Sequence, residues 1–382
     1  MVKDAVKWIV FKIIYPVCYH IAALKSVSAE KIVFVENHQD TLSDNYQLLY
    51  NRLEELGYEN HVHYLQMTKS NWGKIIVHTL QLILDMATAR CVFINDSNSM
   101  FGSFTLRKET KLIQLWHACG AFKKWGYSVA DKKFGDDKKT LDRYSPHRNY
   151  SIVPVSGKEV CWAYEEAFGL QKNSNIVVPL GVSRTDVYFE KERRTQAFEK
   201  FEKLGLPLNG RKILLYAPTF RGDIKNAAAP DCFDLNLMYQ LHEDYVVLIK
   251  NHPFVKERMK EVEAYTDFCR EITNQLTIEE LIMIADVCVT DYSSIVFEYS
   301  LMHKPILFLA YDLKEYYDER GFYYSYEEFV PGPIVKTTQE LLEKLNTMKE
   351  FDDETMERFR EQYMSGCDGN ATERIIEYAL QF

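Results

Sequence analysis

Short apolar runs and longer amphipathic runs alternate along most of this chain. From residue 31, KIVFVENH predicts a strand and a polar turn, and DTLSDNYQLLYNRLEELG predicts a helix ended by Gly57. HVHYLQM reads as a strand, about Trp72 to Ala89 as a long helix, and Arg90 to Asn95 as the next strand. LIQLWHACG is a strand running into a glycine-containing turn, and Ser151 to Val155 and NIVVPLGV are further short strands. The charged run from Asp131 to Arg148 predicts a loop or surface excursion. A second series begins near Arg211. RKILLYAPTF and DYVVLIKNHPF are strands with turns, and Leu276 to Ala285 is a helix. DVCVTDYSSIVFEYSLMHKPILFLA, residues 286 to 310, then gives a strand at Val287 to Val289, a turn, a helix at Ile295 to Met302 and a strand at Ile306 to Ala310. The tail from about Asp352 to Phe382 is helical.

Strands alternating with helices imply doubly wound, mainly parallel sheets. The two series meet near residues 180 to 190, so the expected fold is α/β and GT-B-like, with two Rossmann-like domains facing across a cleft. The expected divisions are a membrane-associating segment at 1–27, an N-terminal Rossmann-like domain at 28–182, a C-terminal Rossmann-like domain at 183–360 and a helix crossing back at 361–382. The opening segment, MVKDAVKWIVFKIIYPVCYHIAALK, is apolar but interrupted by Lys7, Lys12, Pro16 and His20. It lacks a small-residue cleavage site, and two lysines inside the run make it marginal as a membrane span. With Trp8, Tyr15 and Tyr19 as interface-type aromatics, it reads as a segment lying on an anionic cytoplasmic leaflet, or else as a domain-packing helix.

Composition narrows this picture modestly. The 382 residues suffice for two domains, and the net charge of −9 argues against a bulk nucleic-acid binder. Eight scattered cysteines form no C-x-x-C pair and no zinc-spaced cluster, so they read as buried thiols of a reducing cytosol. No Walker A loop or G-x-S-x-G elbow is present. Asp136 and Asp137 can be called a metal pair, but a charge-rich surface loop explains them as well, and no metal or cofactor is expected.

The candidate chemistry sits where strands end, as ligands do in such sheets. His117 follows one strand in a turn of small residues, Ala118, Cys119, Gly120 and Ala121, which lets a backbone approach a ligand closely. A histidine there can take a proton from a hydroxyl, or can be structural. In IKNHPF, Lys250, Asn251 and His252 repeat the arrangement in the second half. Pro218, Thr219 and Arg221 of YAPTFRGD offer backbone donors, a hydroxyl and a guanidinium, and Arg184 can hold a phosphate bidentately, though either arginine can equally be a surface or salt-bridge residue. Ser293 and Ser294 precede a helix, where anions are favoured, yet a serine there is equally an N-cap. Glu298, one turn on, accepts from a ribose or polyol hydroxyl, or is a solvated helix residue.

TDYSSIVFEYSLMHKPILFLAYDLKEYYDERGFYY resembles the C-terminal signature of the CDP-glycerol glycerophosphotransferase family, the teichoic-acid polymerases and primases. With WHACG, PLGVSRTD, YAPTFRGD, IKNHPF and the closing CDGNATERIIEYAL, the motifs follow the family's order over roughly residues 110 to 375. The resemblance implies transfer of a polyol phosphate from a CDP-polyol to a hydroxyl of a lipid-linked saccharide or growing polymer, with release of CMP. It implies that His117 and His252 are the required histidines. The donor site would run through Ala118 to Ala121, Arg184, Pro218, Thr219, Lys250, Asn251, Ser293, Ser294 and Glu298. Expected partners are CDP-glycerol or CDP-ribitol, the lipid-linked acceptor and the cytoplasmic face of a bacterial membrane. Family glycerol polymerases usually read WHGTP for WHACG, arginine for Lys250 and often aspartate for Glu298, so both polyols stand as candidates. A nucleotide-sugar glycosyltransferase of the same fold and a non-catalytic membrane scaffold are the alternative readings.

Overall fold

The computed structural model describes residues 2–67, 71–132, 135–223, 225–256, 259–272, 275–348 and 353–381. Met1, Lys133, Phe134, Asp352 and Phe382, to which the sequence reading extends, lie outside the described residues. The chain forms two compact units, one of residues 1–186 with 365–382 and one of residues 187–364.

The first unit holds a four-stranded sheet and a two-stranded one. Its strands are β1 (Ser28–Glu36), β2 (Glu59–Tyr64), β3 (Ala89–Ile94), β4 (Lys111–Gln114), β5 (Val153–Pro154) and β6 (Val177–Val178). The larger sheet runs β2-β1-β3-β4, all parallel, and β5 pairs with β6. Ile32, Val33, Phe34 and Val35 are all buried, as a parallel strand covered on both faces requires. The helix Asp44–Glu55 ends at Gly57, whose φ of +85° suits a residue without a side chain. The predicted helical tail is two helices, Asp353–Tyr363 and Ala371–Leu380. The second packs Ile375, Ile376 and Ala379 into the core of the first unit beside Ile32, Phe34, Cys91 and Ile113. Asp186 fixes its start by accepting from the N–H groups of Ala371 (3.1 Å) and Thr372 (2.7 Å). At the same point Gly181 and Gly366 meet backbone to backbone: a Cβ on Gly366 would stand 2.6 Å from Gly181 N.

The second unit holds one six-stranded parallel sheet. Its strands are β7 (Lys212–Tyr216), β8 (Tyr245–Ile249), β9 (Cys269–Glu271), β10 (Val287–Thr290), β11 (Ile306–Leu309) and β12 (Ile334–Val335). Their order is β12-β11-β10-β7-β8-β9. The helix Ile278–Ile284 opens with a capping box between Thr277 and Glu280, which satisfies two otherwise unpaired N–H groups.

One expectation changes. The run Asp131–Arg148 is more than a surface loop: Asp137 caps a short helix, Lys138–Arg143, and Leu141, Tyr144 and His147 beyond it are buried. Local charge hid the apolar positions that anchor it. The N-terminal helix is continuous through Val2–Ile9, a π-helical turn at Val10–Ile14 and Tyr15–Ala22. Its stretch Asp4–Ala22 is long and apolar enough to cross a membrane, and 22% of that window is buried. Tyr15 and Tyr19 turn inward, whereas Val6, Trp8, Ile9, Ile13, Val17 and Ile21 are exposed.

Candidate active site

In the first unit, β3 and β4 are neighbours, with Ile94 paired to Gln114, and their ends carry the candidate histidine. Gln114 is fully buried and joins the two ends. Its amide nitrogen donates to Asp96 O (3.2 Å) and to the Tyr150 hydroxyl (2.8 Å), and its amide oxygen accepts from Trp116 N (2.9 Å). Trp116 is thereby held at φ +58°, a left-handed backbone that costs a bulky residue about 1–3 kcal/mol. The kink turns His117 back, so that Nδ1 lies 3.2 Å from Asn95 O. A carbonyl only accepts, so Nδ1 carries the proton and Nε2 keeps its lone pair. The Trp116 indole stacks on the imidazole with centroids 4.3 Å apart. The Tyr150 hydroxyl in turn lies 2.9 Å from Nδ1 of buried His147, whose pKa burial pushes down to about 3.

One edge of His117 is exposed, yet protein crowds the rest of the ring, and this desolvation lowers its pKa. Asp96 and the Asn95 carbonyl oppose the shift, while Arg184 and His38 add to it. His38 Nε2 is 3.2 Å from Asp96 Oδ2. The turn after His117 is strapped from below: the Tyr164 hydroxyl lies 3.2 Å from Ala118 O and 2.9 Å from Gly120 O. Cys119, Gly120 and Ala121 are buried, and Gly120 has φ +62°. Arg184 approaches the Cys119 sulfur at 4.0 Å, within the same unit.

In the second unit the candidates gather at the ends of β7, β8 and β10. Asp291, 2% exposed, closes β10 and organises the rest. It accepts from Thr219 N (2.8 Å), the Thr219 hydroxyl (3.0 Å) and Tyr292 N (2.6 Å), and pairs with Arg221 at 2.9 Å. Arg221 also grips Asp312 with two bonds, 2.6 and 2.9 Å, and lies over the rings of Tyr292, Tyr311 and Tyr316 at 5.2 to 5.3 Å. Burial opposes its charge, but the bonds to Asp312 and the two carboxylates outweigh burial and raise its pKa. Arg221 is therefore an internal ion-pair residue, and the Thr219 hydroxyl serves Asp291. Pro218 is buried beside it.

After β8, Lys250 donates to Leu276 O (2.9 Å), and burial lowers its pKa against the pull of Glu279 and Glu280. Asn251 is buried and donates to Glu271 (3.2 Å). His252 accepts the Phe254 N–H at Nδ1 (3.2 Å), so its neutral form carries the proton on Nε2. Phe220 and Phe254 flank the ring at 4.8 and 4.6 Å. Ser293 accepts from Ile295 N (3.3 Å), while Ser294 makes no side-chain cap bond. The helix after them, Ile295–Ser300, is only six residues and buried throughout. Glu298 is 6% exposed, which corrects the solvated-helix reading of it: the helix is wrapped on all sides. Among the described residues no group of His, Cys, Asp and Glu is arranged to hold a metal ion, and Asp137 is occupied as a helix cap.

Gln114, Asp96, His38 and Asp291 escaped the sequence reading. Gln114 had left a signal, as a polar residue inside an apolar strand, and Asp96 and Asp291 each stand where a strand ends.

Two units built on parallel sheets, with polar residues at strand ends, define a GT-B-like α/β protein. The wall teichoic acid polymerase TagF has this fold: the two structures match with a TM-score of 0.75 at 22% identity, over 100% of this chain and 96% of that one. UDP-GlcNAc 2-epimerase from Methanocaldococcus jannaschii matches more distantly, with a TM-score of 0.56 at 12% identity over 91% and 99%. In sequence, the profile of the CDP-Glycerol:Poly(glycerophosphate) glycerophosphotransferase family matches residues 17–381. A teichoic acid ribitol-phosphate primase of Bacillus spizizenii is 35% identical over 95% of this chain and 94% of its own length. A poly(ribitol-phosphate) polymerase of the same organism is 32% identical over 94% of this chain, which spans 57% of that larger protein. A glycerol-phosphate primase of Bacillus subtilis is 28% identical over 79% and 76%. The chain belongs to the CDP-glycerol:poly(glycerophosphate) glycerophosphotransferase family. It is a polyol-phosphate transferase of teichoic-acid synthesis, working from a CDP-linked donor.

Proposed function

We propose that the transferred group is ribitol phosphate, taken from CDP-ribitol, and that the acceptor is a hydroxyl of a lipid-linked saccharide or growing polymer. The ribitol-phosphate relatives, at 35% and 32% identity, support ribitol over glycerol, for which the relative above stands at 28%. The observation that carries the mechanism is the opposite protonation of the two histidines. His117, with its lone pair on Nε2, takes the proton of the attacking hydroxyl. The resulting oxygen attacks the β-phosphorus of the donor, a new P–O bond forms, the anhydride P–O bond breaks, and CMP leaves. His252, with its proton on Nε2, donates to the phosphoryl oxygens as charge grows on them. Lys250 adds positive charge, and burial makes that charge more effective. Ser294 and the backbone N–H groups beside Ser293 hold the diphosphate. Asn251, Glu298, Pro218 and Thr219 shape the donor site, Thr219 through Asp291. Arg184 and the turn Ala118–Ala121 bound the space beside His117.

The exposed apolar face of Val6, Trp8, Ile9, Ile13, Val17 and Ile21, with Trp72, Val77 and Leu84 exposed on the helix Trp72–Met86, supports peripheral attachment to the cytoplasmic membrane face. That surface would bring a lipid-borne acceptor to the enzyme.

The test is CMP release with CDP-ribitol or CDP-glycerol and a lipid-linked disaccharide. Acceptor-dependent release from CDP-ribitol, lost in His117→Ala and His252→Ala, is the expected result. A loss of less than about tenfold, roughly 1.4 kcal/mol of barrier, in either variant refutes the assignment of that histidine.

A further inference from the structure

Three cations converge on one tyrosine of the first unit, away from the strand ends, and a fourth acts on one of them. Lys7 Nζ lies 4.5 Å from the Tyr144 ring centroid and Lys12 Nζ 5.5 Å, both from the N-terminal helix. Arg143 Cζ lies 5.7 Å from the same ring, at the end of the helix Lys138–Arg143. Arg148 is close enough to Lys12 that it and Arg143, after burial, depress the lysine's pKa. Tyr144 itself is 8% exposed and packs edge-on against Phe11 at 5.6 Å. Asp4 lies within electrostatic reach of Arg143 and is exposed, and Asp142 precedes it in the chain, also exposed. None of the four cations forms an ion pair among the described residues. Like charges this close repel, which opposes what each gains from the Tyr144 ring, and an anion among them would relieve that repulsion.

The cluster borders the exposed apolar stripe of Trp8, Ile9 and Ile13. A basic focus beside an apolar surface complements an amphiphile with a compact, polyvalent anionic head. A diffuse anionic surface would be matched as well by cations spread along the helix. Two of the four are arginines, whose planar forks suit phosphate oxygens.

We propose that Lys7, Lys12, Arg143 and Arg148 bind the phosphate group that links the acceptor saccharide to its lipid, with the lipid chain lying along Trp8, Ile9 and Ile13. This rests on the reading of the acceptor as a lipid-linked saccharide. Arg148 also lines a cavity of about 470 Å³ with Tyr127, Ser145, His147 and Phe168, so the cluster has polar space beside it for the first sugar.

The full chain would be floated with vesicles of phosphatidylcholine alone, with added phosphatidylglycerol, or with a polyprenyl diphosphate at matched charge. Tighter binding to the polyprenyl diphosphate vesicles is expected. Arg143→Gln with Arg148→Gln, both exposed positions, should abolish that preference; at about fivefold per cation the loss is roughly thirtyfold. Lys7→Gln with Lys12→Gln should do the same from the other element, with unchanged melting temperature as the control on folding. Equal binding to both anionic vesicles, or a preference that survives in both double variants, overturns the proposal. Turnover is read separately: preferential binding without CMP release would refute the reaction scheme and leave the lipid-phosphate site standing.

Discussion

Each unit places a histidine just after a buried parallel strand, but the supports beneath the two are unlike. Under His117 the scaffold is neutral: Gln114, Tyr150 and His147 form a chain of uncharged hydrogen bonds. The charges that act there, from Asp96, Arg184 and His38, reach the histidine itself. At the other site the charges are spent on one another. Arg221, Asp291 and Asp312 lock the ends of β7 and β10 inside a tyrosine box, and His252 accepts the Phe254 N–H beside the rings of Phe220 and Phe254. The contrast fits the roles proposed above: a base must have its proton affinity tuned, so its surroundings are electrically active and its scaffold is not. A hydrogen-bond donor needs only position and its proton, so its scaffold can carry the charge.

The largest test of this contrast is substitution at the histidines. His117→Ala should lower kcat by about 10²–10⁴-fold. His252→Gln should keep a measurable part of the activity that His252→Ala loses, because an amide N–H can replace Nε2–H, whereas His117→Gln should keep none. Equal loss in all four variants, measured by CMP release, breaks the distinction between base and donor. Gln114→Leu should reduce kcat by about a hundredfold through misplacement of the His117 ring. The KM for donor should stay unchanged, and Gln114→Asn should not rescue the activity, its amide being one methylene too short to bridge both strand ends.

Arg221→Met probes the charged scaffold. It strands Asp291 and Asp312, so unfolding free energy should fall by about 3–5 kcal/mol in a denaturant titration. A Gln114 variant should lose less, about 1–3 kcal/mol for the unmade bonds. If the order is reversed, the neutral side is the structural one. The smallest effects lie in pH. If His117 is the base, as proposed above, it must be neutral, so kcat/KM should rise with pH through a value below the ordinary histidine pKa, as burial dictates. Asp96→Asn removes the charge favouring the imidazolium and should move that limb to lower pH. Arg184→Ala removes a charge opposing it and should move the limb to higher pH.

The parallel strands were legible because residues such as Ile32 to Val35 and Val287 to Val289 are apolar on both faces. That His117 and His252 each follow a strand was legible from the apolar runs before them. What joined them was not. Gln114 makes its bonds to Asp96 and Tyr150, 18 and 36 residues away, and no local pattern announces such partners. Arg221 reads as a surface or a salt-bridge arginine and is the second, but nothing local names its partner Asp312, 91 residues on. Tyr144 and His147 were hidden among lysines and aspartates that made their stretch look like solvent-facing loop.

The backbone contact between Gly181 and Gly366, with Asp186 capping the helix Ala371–Leu380, has a consequence for modularity. Residues 187–364 leave and rejoin the first unit at nearly one spot, so they form a cassette inserted into an otherwise continuous architecture. Residues 1–186 and 365–382 already supply their own core, and a short linker would close the gap. A cassette from a relative can be exchanged at those two joints without rebuilding the half that carries His117.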